Sequence, residues 1–360
     1  MKKNKLASLI LVTVLAFSSL AGCTTNPNET LDVGTVQNET ETDAHSLEGE
    51  DTELITITDQ IGREVTFEKP TEKLVSSYYI STAIFVALGL EDSLIGIEAK
   101  AETRGLYKMA APNLLSLPAI GTGKGVNVEE VAALNPDVVV IPKKLADSVE
   151  SFESLGIPVI VVNPETMEEF RQCIEILGKV TATEKKATAL LDYYDEKTNQ
   201  VFLLNARLSS FPKVYLSSGS SYFSTCTSKM YQNDLISISG GDNVSKELTD
   251  GYWQTISAEQ LNIWQPDYMF AVSYANYSLD DIKNDVTLSE VAAVKEGKVF
   301  SFPSAIEPWD YPTPSSVLGM LYLTHMLHPD LYSQEQFVDE ATSFYKEFFD
   351  INVTLEDLGL

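Results

Sequence analysis

A fifteen-residue phrase occurs twice in this chain. Asn127–Ile141 (NVEEVAALNPDVVVI) is echoed 130 positions downstream by Ser257–Ala271 (SAEQLNIWQPDYMFA). In each copy a residue suited to capping a helix opens an amphipathic stretch, Pro-Asp closes it, and a short apolar run fit for a buried strand follows. The pattern predicts two similar α/β lobes, far apart in sequence and facing each other across a cleft, and clefts between domains are where small ligands bind.

The segments before the first lobe read as an address and a tether. Met1–Lys5 is basic, Leu6–Leu20 is apolar, and Leu20-Ala21-Gly22-Cys23 ends the run in small residues before a cysteine. Residues 1–22 therefore resemble a bacterial lipoprotein leader, which implies cleavage before Cys23 and a diacylglycerol on its thiol. The apolar run is too short to span a bilayer comfortably, whereas acyl chains contribute about 0.8 kcal/mol per buried methylene to surface anchoring. From Thr24 to Glu53 there are nine acidic residues and no Lys, Arg or aromatic residue. Such a stretch cannot bury enough apolar surface to offset chain entropy, so residues 23–53 are expected to form a self-repelling leash.

The remaining residues exceed what one core usually serves and match two lobes of ordinary size. With 52 acidic against 25 basic residues the chain carries a formal charge of −27. That excludes a nucleic-acid face, which needs clustered cations, but leaves room for an anion gripped by a few of them in a cleft. Cys173 shares one helical face with Phe170, Ile174 and Leu177 and reads as a packing residue. Cys226 lies in a polar stretch, and whether the two cysteines pair stays open.

Period-2 alternation over Leu54–Thr58 and Glu64–Phe67 predicts a hairpin. Strands at Leu74–Ser77, Leu94–Ile97, Val138–Ile141 and Val159–Val162 alternate with helices at Ile80–Leu88 and near Ala146–Leu155, the pattern of parallel βαβ units. From Thr183 to about Leu208 the pattern stays helical without Gly or Pro, a rod joining the lobes, with Thr183 as its expected N-cap. A second lobe runs from Val214–Ser217 through the second copy and Val299–Ser301 to closing helices at Val317–Leu327 and Ser333–Phe349. The expected fold is thus two Rossmann-like α/β lobes with mostly parallel sheets, residues 54–165 and 210–360, joined by linking helices over 166–209.

The leader, the opening hairpin, one Glu-x₆-Pro-Asp phrase per lobe, the long linking helix and Leu327-His-Pro-Asp330 together resemble the class III substrate-binding proteins, the receptors of ABC importers for ferric siderophores, haem and cobalamin. The resemblance runs from about Leu54 to the C-terminus. Within the echo, Glu130 and Gln260 stand where a capping box wants them, leaving Glu129 and Glu259 to a mild helix-dipole role of about 0.3–1 kcal/mol or to something else. The resemblance supplies it: one glutamate per lobe at this place docks onto arginines of the two permease subunits.

Residues just past the carboxyl ends of parallel strands tend to line ligand sites. That rule selects Tyr78 and Tyr79 in lobe one, and Tyr222, Phe223, Tyr274, Trp309 and Tyr311 in lobe two. The resemblance adds Trp253, six residues before Glu259, as a cleft tryptophan. Each aromatic residue singly fits a packed loop anchor equally well. Arg104, one of only four arginines in the chain, follows Leu94–Ile97 with Tyr107 beside it and suits an anionic chelate or a surface salt bridge. Lys124, in Gly121-Thr-Gly-Lys-Gly125, is a second cation on a loop that is not a phosphate loop.

With three histidines in all, and His325 and His328 near the end of one helix where structural roles fit, no bare-metal site is expected. No resident cofactor is expected either. The reading is a monomeric, lipid-anchored receptor on the extracellular face of the membrane, facing the periplasm if the cell has an outer membrane. Its expected ligand is a metal wrapped in an organic chelator, first a ferric siderophore, with a corrinoid or haem as the alternative, delivered to an ABC permease dimer and its ATPase. An extracellular chelatase-like enzyme is the remote alternative; the sequence holds no Gly-x-Ser-x-Gly elbow and no His-Glu-x-x-His. A long helix between the lobes implies a short-range hinge.

Overall fold

A computed structural model describes residues 54–303 and 306–360; the leader, Cys23 and the acidic leash lie outside the described residues. The opening hairpin pairs Ile55–Thr58 with Glu64–Phe67. Lobe one is a four-stranded sheet in the order Leu94–Gly96, Leu74–Ser76, Val138–Pro142, Val159–Val162. Every pairing in it is parallel. The last two strands are buried along their whole length, which is why they read as unbroken apolar runs rather than alternating ones.

Lobe two orders its strands Trp253–Thr255, Ser224–Cys226, Lys213–Ser217, Tyr268–Ala271, Val299–Ser301. The last three are mutually parallel, and Asp242–Asn243 also runs parallel to Lys213–Val214. Ser224–Cys226 is antiparallel to both of its neighbours. Mostly parallel sheets were expected; the antiparallel corner was not, and it decides which residues reach the cleft.

Between the lobes run Met167–Val180 and then the 22-residue rod Glu184–Asn205. Gly178 lets the two helices touch, since a Cβ there would stand 2.6 Å from that of Ala187. The rod is tied to lobe two by the buried Tyr194 hydroxyl, which lies 3.0 Å from the carbonyls of Thr313 and Pro314 and 2.9 Å from the Ser316 hydroxyl. One apolar core runs continuously from Leu74 and Val138 of lobe one through Leu190, Leu191 and Val201 to Val214, Phe270 and Leu321 of lobe two. Thr183 does precede the rod, but its hydroxyl pairs with Thr181 (2.8 Å) and the helix starts without a side-chain cap. The segment near Ala146–Leu155 is a 3₁₀ stretch, Lys143–Ser148, continued by a short helix, Val149–Glu153.

The echo has a structural cause at each end. Asn127 and Ser257 accept hydrogen bonds from the N–H of Glu130 and Gln260, whereas the returning half of a capping box is made in neither copy. Glu130 and Gln260 are thus not held as the sequence suggested. At the far end, Asn135 (φ 50°) and Gln265 (φ 49°) turn left-handed to stop the helix before proline. The aspartate that follows grips the start of the neighbouring strand: Asp137 accepts from the N–H of Glu72 and Lys73, both at 2.9 Å, and Asp267 from that of Lys213 at 2.7 Å.

Candidate functional site

A cavity of about 620 Å³ opens between the lobes, large enough to hold a drug-sized ligand. All four strands of lobe one point their carboxyl ends at it. Ser76 is followed by Ser77, Tyr78 and Tyr79; Gly96 by Glu98, Lys100 and Arg104; Pro142 by Lys144; and Val162 by Glu165, each a lining residue. Thr122, Gly123 and Lys124 add the tip of a two-stranded hairpin, Gly121–Thr122 with Gly125–Val126. Lobe two contributes Met230, Tyr231, Gln232, Trp253, Tyr311 and Pro312.

Of the residues singled out from sequence, the structure brings Tyr78, Tyr79, Arg104, Lys124, Trp253 and Tyr311 together at this cavity and does not bring the other five. Tyr107 is fully buried beneath it, where its hydroxyl donates to Glu98 at 2.6 Å. Trp309 is core: it is 1% exposed and its indole N–H donates to the Tyr345 hydroxyl at 2.9 Å. Tyr222 and Phe223 sit in the connection that reverses into antiparallel Ser224–Cys226. They join the apolar cluster around Tyr215 and Leu261, with the Tyr222 hydroxyl on Asp285 at 3.0 Å. Tyr274 stands behind the wall, its ring 4.8 Å from that of Tyr311 and its hydroxyl 2.7 Å from Asp310. Lys144, Glu165, Glu98 and Lys100 were missed, although the strand-end rule that picked Tyr78 applies to them equally.

The charge of the cavity is one-sided. Lys100, Arg104, Lys124 and Lys144 all come from lobe one, against the carboxylates of Glu98 and Glu165; lobe two offers no charge at all, only aromatic, apolar and amide groups. Arg104 makes no salt bridge among the described residues. Its guanidinium carbon lies 3.8 Å from the centroid of the Tyr79 ring, a cation–π contact, and its buried Nε finds no partner. Glu98 accepts from Tyr107 and from the Thr82 hydroxyl (2.8 Å), yet burial keeps its carboxyl above the ordinary range. Burial also raises Glu165, helped by the nearby Glu169 carboxylate. Both acids thus ionise less readily than usual, and four cations stand against these two carboxyls in the lining.

A family model described as periplasmic binding protein matches residues 74–306. The chain belongs to the periplasmic binding protein family. Its relatives include the molybdate-binding protein of Haemophilus influenzae, 25% identical over 324 residues, covering 81% of this chain and 90% of that one. A petrobactin-binding protein of Bacillus subtilis is 26% identical over 274 residues, covering 72% and 84%. Among solved structures, a periplasmic solute binding protein of Veillonella parvula superposes with a TM-score of 0.73 at 25% identity, over 86% of this chain and 97% of that one. The named relatives of this periplasmic binding protein are substrate-binding proteins, not enzymes, and the family serves ABC transporters. No described helix is long and apolar enough to cross a membrane.

In this periplasmic binding protein Glu129 and Glu259 are exposed in the first turns of Val128–Ala133 and Ala258–Trp264. The Ser257 hydroxyl holds the Glu259 carboxyl below its ordinary value, so it is ionised at neutral pH. Six residues upstream of each glutamate, Gly123 and Trp253 line the cavity. Cys173 and Cys226 are both buried and unpaired, each thiol raised by burial. His325 and His328 bond the carbonyls of Tyr332 and Gly240, both at 3.0 Å, which are structural roles.

Proposed function

We propose that this receptor binds an anionic metal chelate, first a ferric siderophore, in the interlobe cavity. It hands the cargo to an ABC permease dimer through Glu129 and Glu259 while acyl chains on Cys23 hold it at the outer face of the membrane. The observation that supports the ligand reading is the one-sided wall. Four cations from lobe one suit carboxylate or catecholate oxygens, and Trp253 and Tyr311 from lobe two offer flat surfaces to an aromatic or apolar face. Relatives named for molybdate and petrobactin fit an anion; a bare oxyanion, however, would leave most of about 620 Å³ unfilled. The metal is cargo rather than a resident cofactor, and the receptor works as a monomer. The continuous core and the rod support a short-range hinge.

The test is a thermal-shift and fluorescence panel on the chain from residue 24 onward. The panel holds ferric catecholate, ferric carboxylate and ferric hydroxamate complexes, haemin, cyanocobalamin and molybdate. A bound ligand at a hundredfold excess over its Kd stabilises the native state by about 2.7 kcal/mol. We expect a ferric complex to raise Tm and quench tryptophan emission, and Trp253→Phe to remove the quench, because neither of the other two tryptophans, Trp264 and Trp309, lines the cavity. A response to cyanocobalamin or haemin with silence toward every ferric chelate would replace the siderophore by the corrinoid or haem alternative, for which the same aromatic wall speaks.

A further inference from the structure

Beneath the cavity one carboxylate crosses from lobe two to lobe one. Glu307 belongs to the long connection between Val299–Ser301 and the helix Ser316–Leu327. It is fully buried and makes no ion pair among the described residues. One oxygen accepts the Tyr79 hydroxyl of lobe one at 3.2 Å; the other accepts the Ser315 hydroxyl and, at 3.3 Å, the Ser315 N–H. Next to it the Leu106 N–H donates to the Ile306 carbonyl at 2.9 Å, a second bond from this connection to lobe one, made to a different helix. Tyr79 is the ring under Arg104. A buried acid without a cation costs stability, and an apolar side chain would fill this place without that cost, so the hydrogen bond to Tyr79 needs a reason.

We propose that Glu307 is a positioning residue for ligand capture: from lobe two it fixes the Tyr79 ring on which the Arg104 guanidinium rests, and so holds a lobe-one cation in place at the cavity wall. An ionised Glu307 draws on the Tyr79 proton, which enriches the ring in electron density and strengthens its hold on the cation. Neutral Glu307 loosens both. The titratable groups facing Glu307 are Tyr79 and Tyr345, with Arg104 reached through the Tyr79 ring; the two tyrosines stay neutral throughout the range where the carboxyl, raised by burial to about 7, titrates. The inference rests on the reading of the cavity as an anion site, but its test needs no ligand.

Arginine Nε–H resonances of the ¹⁵N-labelled chain report the device directly, and Arg104→Lys assigns the one that matters. In the wild type we expect a discrete Arg104 signal that moves with pH around 7. Glu307→Gln should abolish that movement, and Tyr79→Phe, which keeps the ring and loses the hydroxyl, should do the same; Glu98→Gln separates the effect of the acid on the other side of Arg104. Unchanged signals and pH profiles in Glu307→Gln and Tyr79→Phe, or no discrete Arg104 signal in the wild type, would overturn the proposal. Ser315→Ala, which removes a donor to Glu307 without touching Tyr79, stands in if Glu307→Gln does not fold, and should shift the midpoint upward. A separate titration with a ferric tris-catecholate and with molybdate tests the anion site. Silence there with the Arg104 response intact would reject the anion reading and leave the positioning network standing.

Discussion

Raising the pH from about 5 to about 7.5 should destabilise the fold by about 3 to 4 kcal/mol, through two buried acids in one connection. Burial lifts the carboxyl of Glu307 from 4.5 to about 7 and that of Asp310 from 3.8 to about 6. In the unfolded chain both ionise near their ordinary values. Between those values and the raised ones the unfolded chain has released protons that the native state keeps. The stability these groups confer is therefore full below about pH 4 and lost as the pH climbs through 6 and 7. At about 1.4 kcal/mol per unit, each shift is worth about 3 kcal/mol in all; the portion falling between pH 5 and 7.5 is about 2 kcal/mol for Glu307 and between about 1 and 2 for Asp310. Carboxyls held low, those of Asp281, Asp285, Asp350 and Asp357, act below this window. Urea unfolding followed by circular dichroism at three pH values gives the slope directly. Glu307→Gln and Asp310→Asn should each remove their own share, and the double variant both, leaving the slope of the same sign from Glu98, Glu165 and Asp234, which burial also raises, with m unchanged. A wild-type stability that is flat or rises over this range, or a double variant that keeps the full slope, would refute the argument.

Other perturbations separate packing, binding and docking. Gly319→Ala places a methyl group against the Trp309 carbonyl oxygen; the overpacking should cost about 1–3 kcal/mol in calorimetry and disturb the connection that carries Tyr311. Thr166→Ala breaks the capping box with Glu169 that starts Met167–Val180, a loss of about 1 kcal/mol by urea titration. Arg104→Ala should weaken an anionic ferric chelate by about 10- to 100-fold in calorimetric titration, the range for losing a charged hydrogen bond, at a stability cost of about 0.5–2 kcal/mol for the lost cation–π contact with Tyr79. Glu129→Ala with Glu259→Ala should abolish permease-dependent uptake and leave ligand affinity intact; a loss of affinity would instead remove the docking role from these residues.

How far the sequence could be followed depended on strand direction. Where strands are parallel, the residue after the strand faces the cavity, and Tyr78, Tyr79 and Arg104 were legible for that reason. Where the chain doubles back into an antiparallel strand, the same rule points the wrong way, and Tyr222 and Phe223, half-buried, pack against the apolar cluster around Tyr215 and Leu261 instead of the cavity. Trp309 was misread because its connection folds back under the helix Ser316–Leu327 instead of lying over the surface as loops usually do. Glu307 and Asp310 were invisible for the same reason. Their local sequence, rich in proline and aromatic residues, gives no sign that two acids end fully buried, Glu307 against Tyr79 of lobe one and Asp310 against Tyr274 within lobe two. Lys144 and Glu165, by contrast, could have been found by applying the strand-end rule to all four strands of lobe one.

The echo itself yields a prediction for the acid limb of stability. Burial pushes the Asp137 carboxyl up, but the N–H groups of Lys73 and Glu72 outweigh it and hold the carboxyl below its ordinary value. A depressed acid contributes stability above its unfolded value of about 3.8 that is lost as the pH falls toward the native value, the opposite sign to Glu307. Asp137→Ala leaves two strand-leading N–H groups without the carboxylate, and Asp267→Ala leaves one. With water able to replace part of each bond at these half-exposed positions, we expect a cost of about 1–2 kcal/mol for the first and less for the second. The cost of Asp137→Ala should shrink in urea titrations as the pH falls below the unfolded value of about 3.8, because the native carboxyl then gradually loses its advantage. Equal costs in the two lobes, or a cost that does not change with pH, would mean that Pro-Asp serves the turn by backbone geometry alone. In that case the left-handed Asn135 and Gln265, rather than the carboxylates, would account for the repetition.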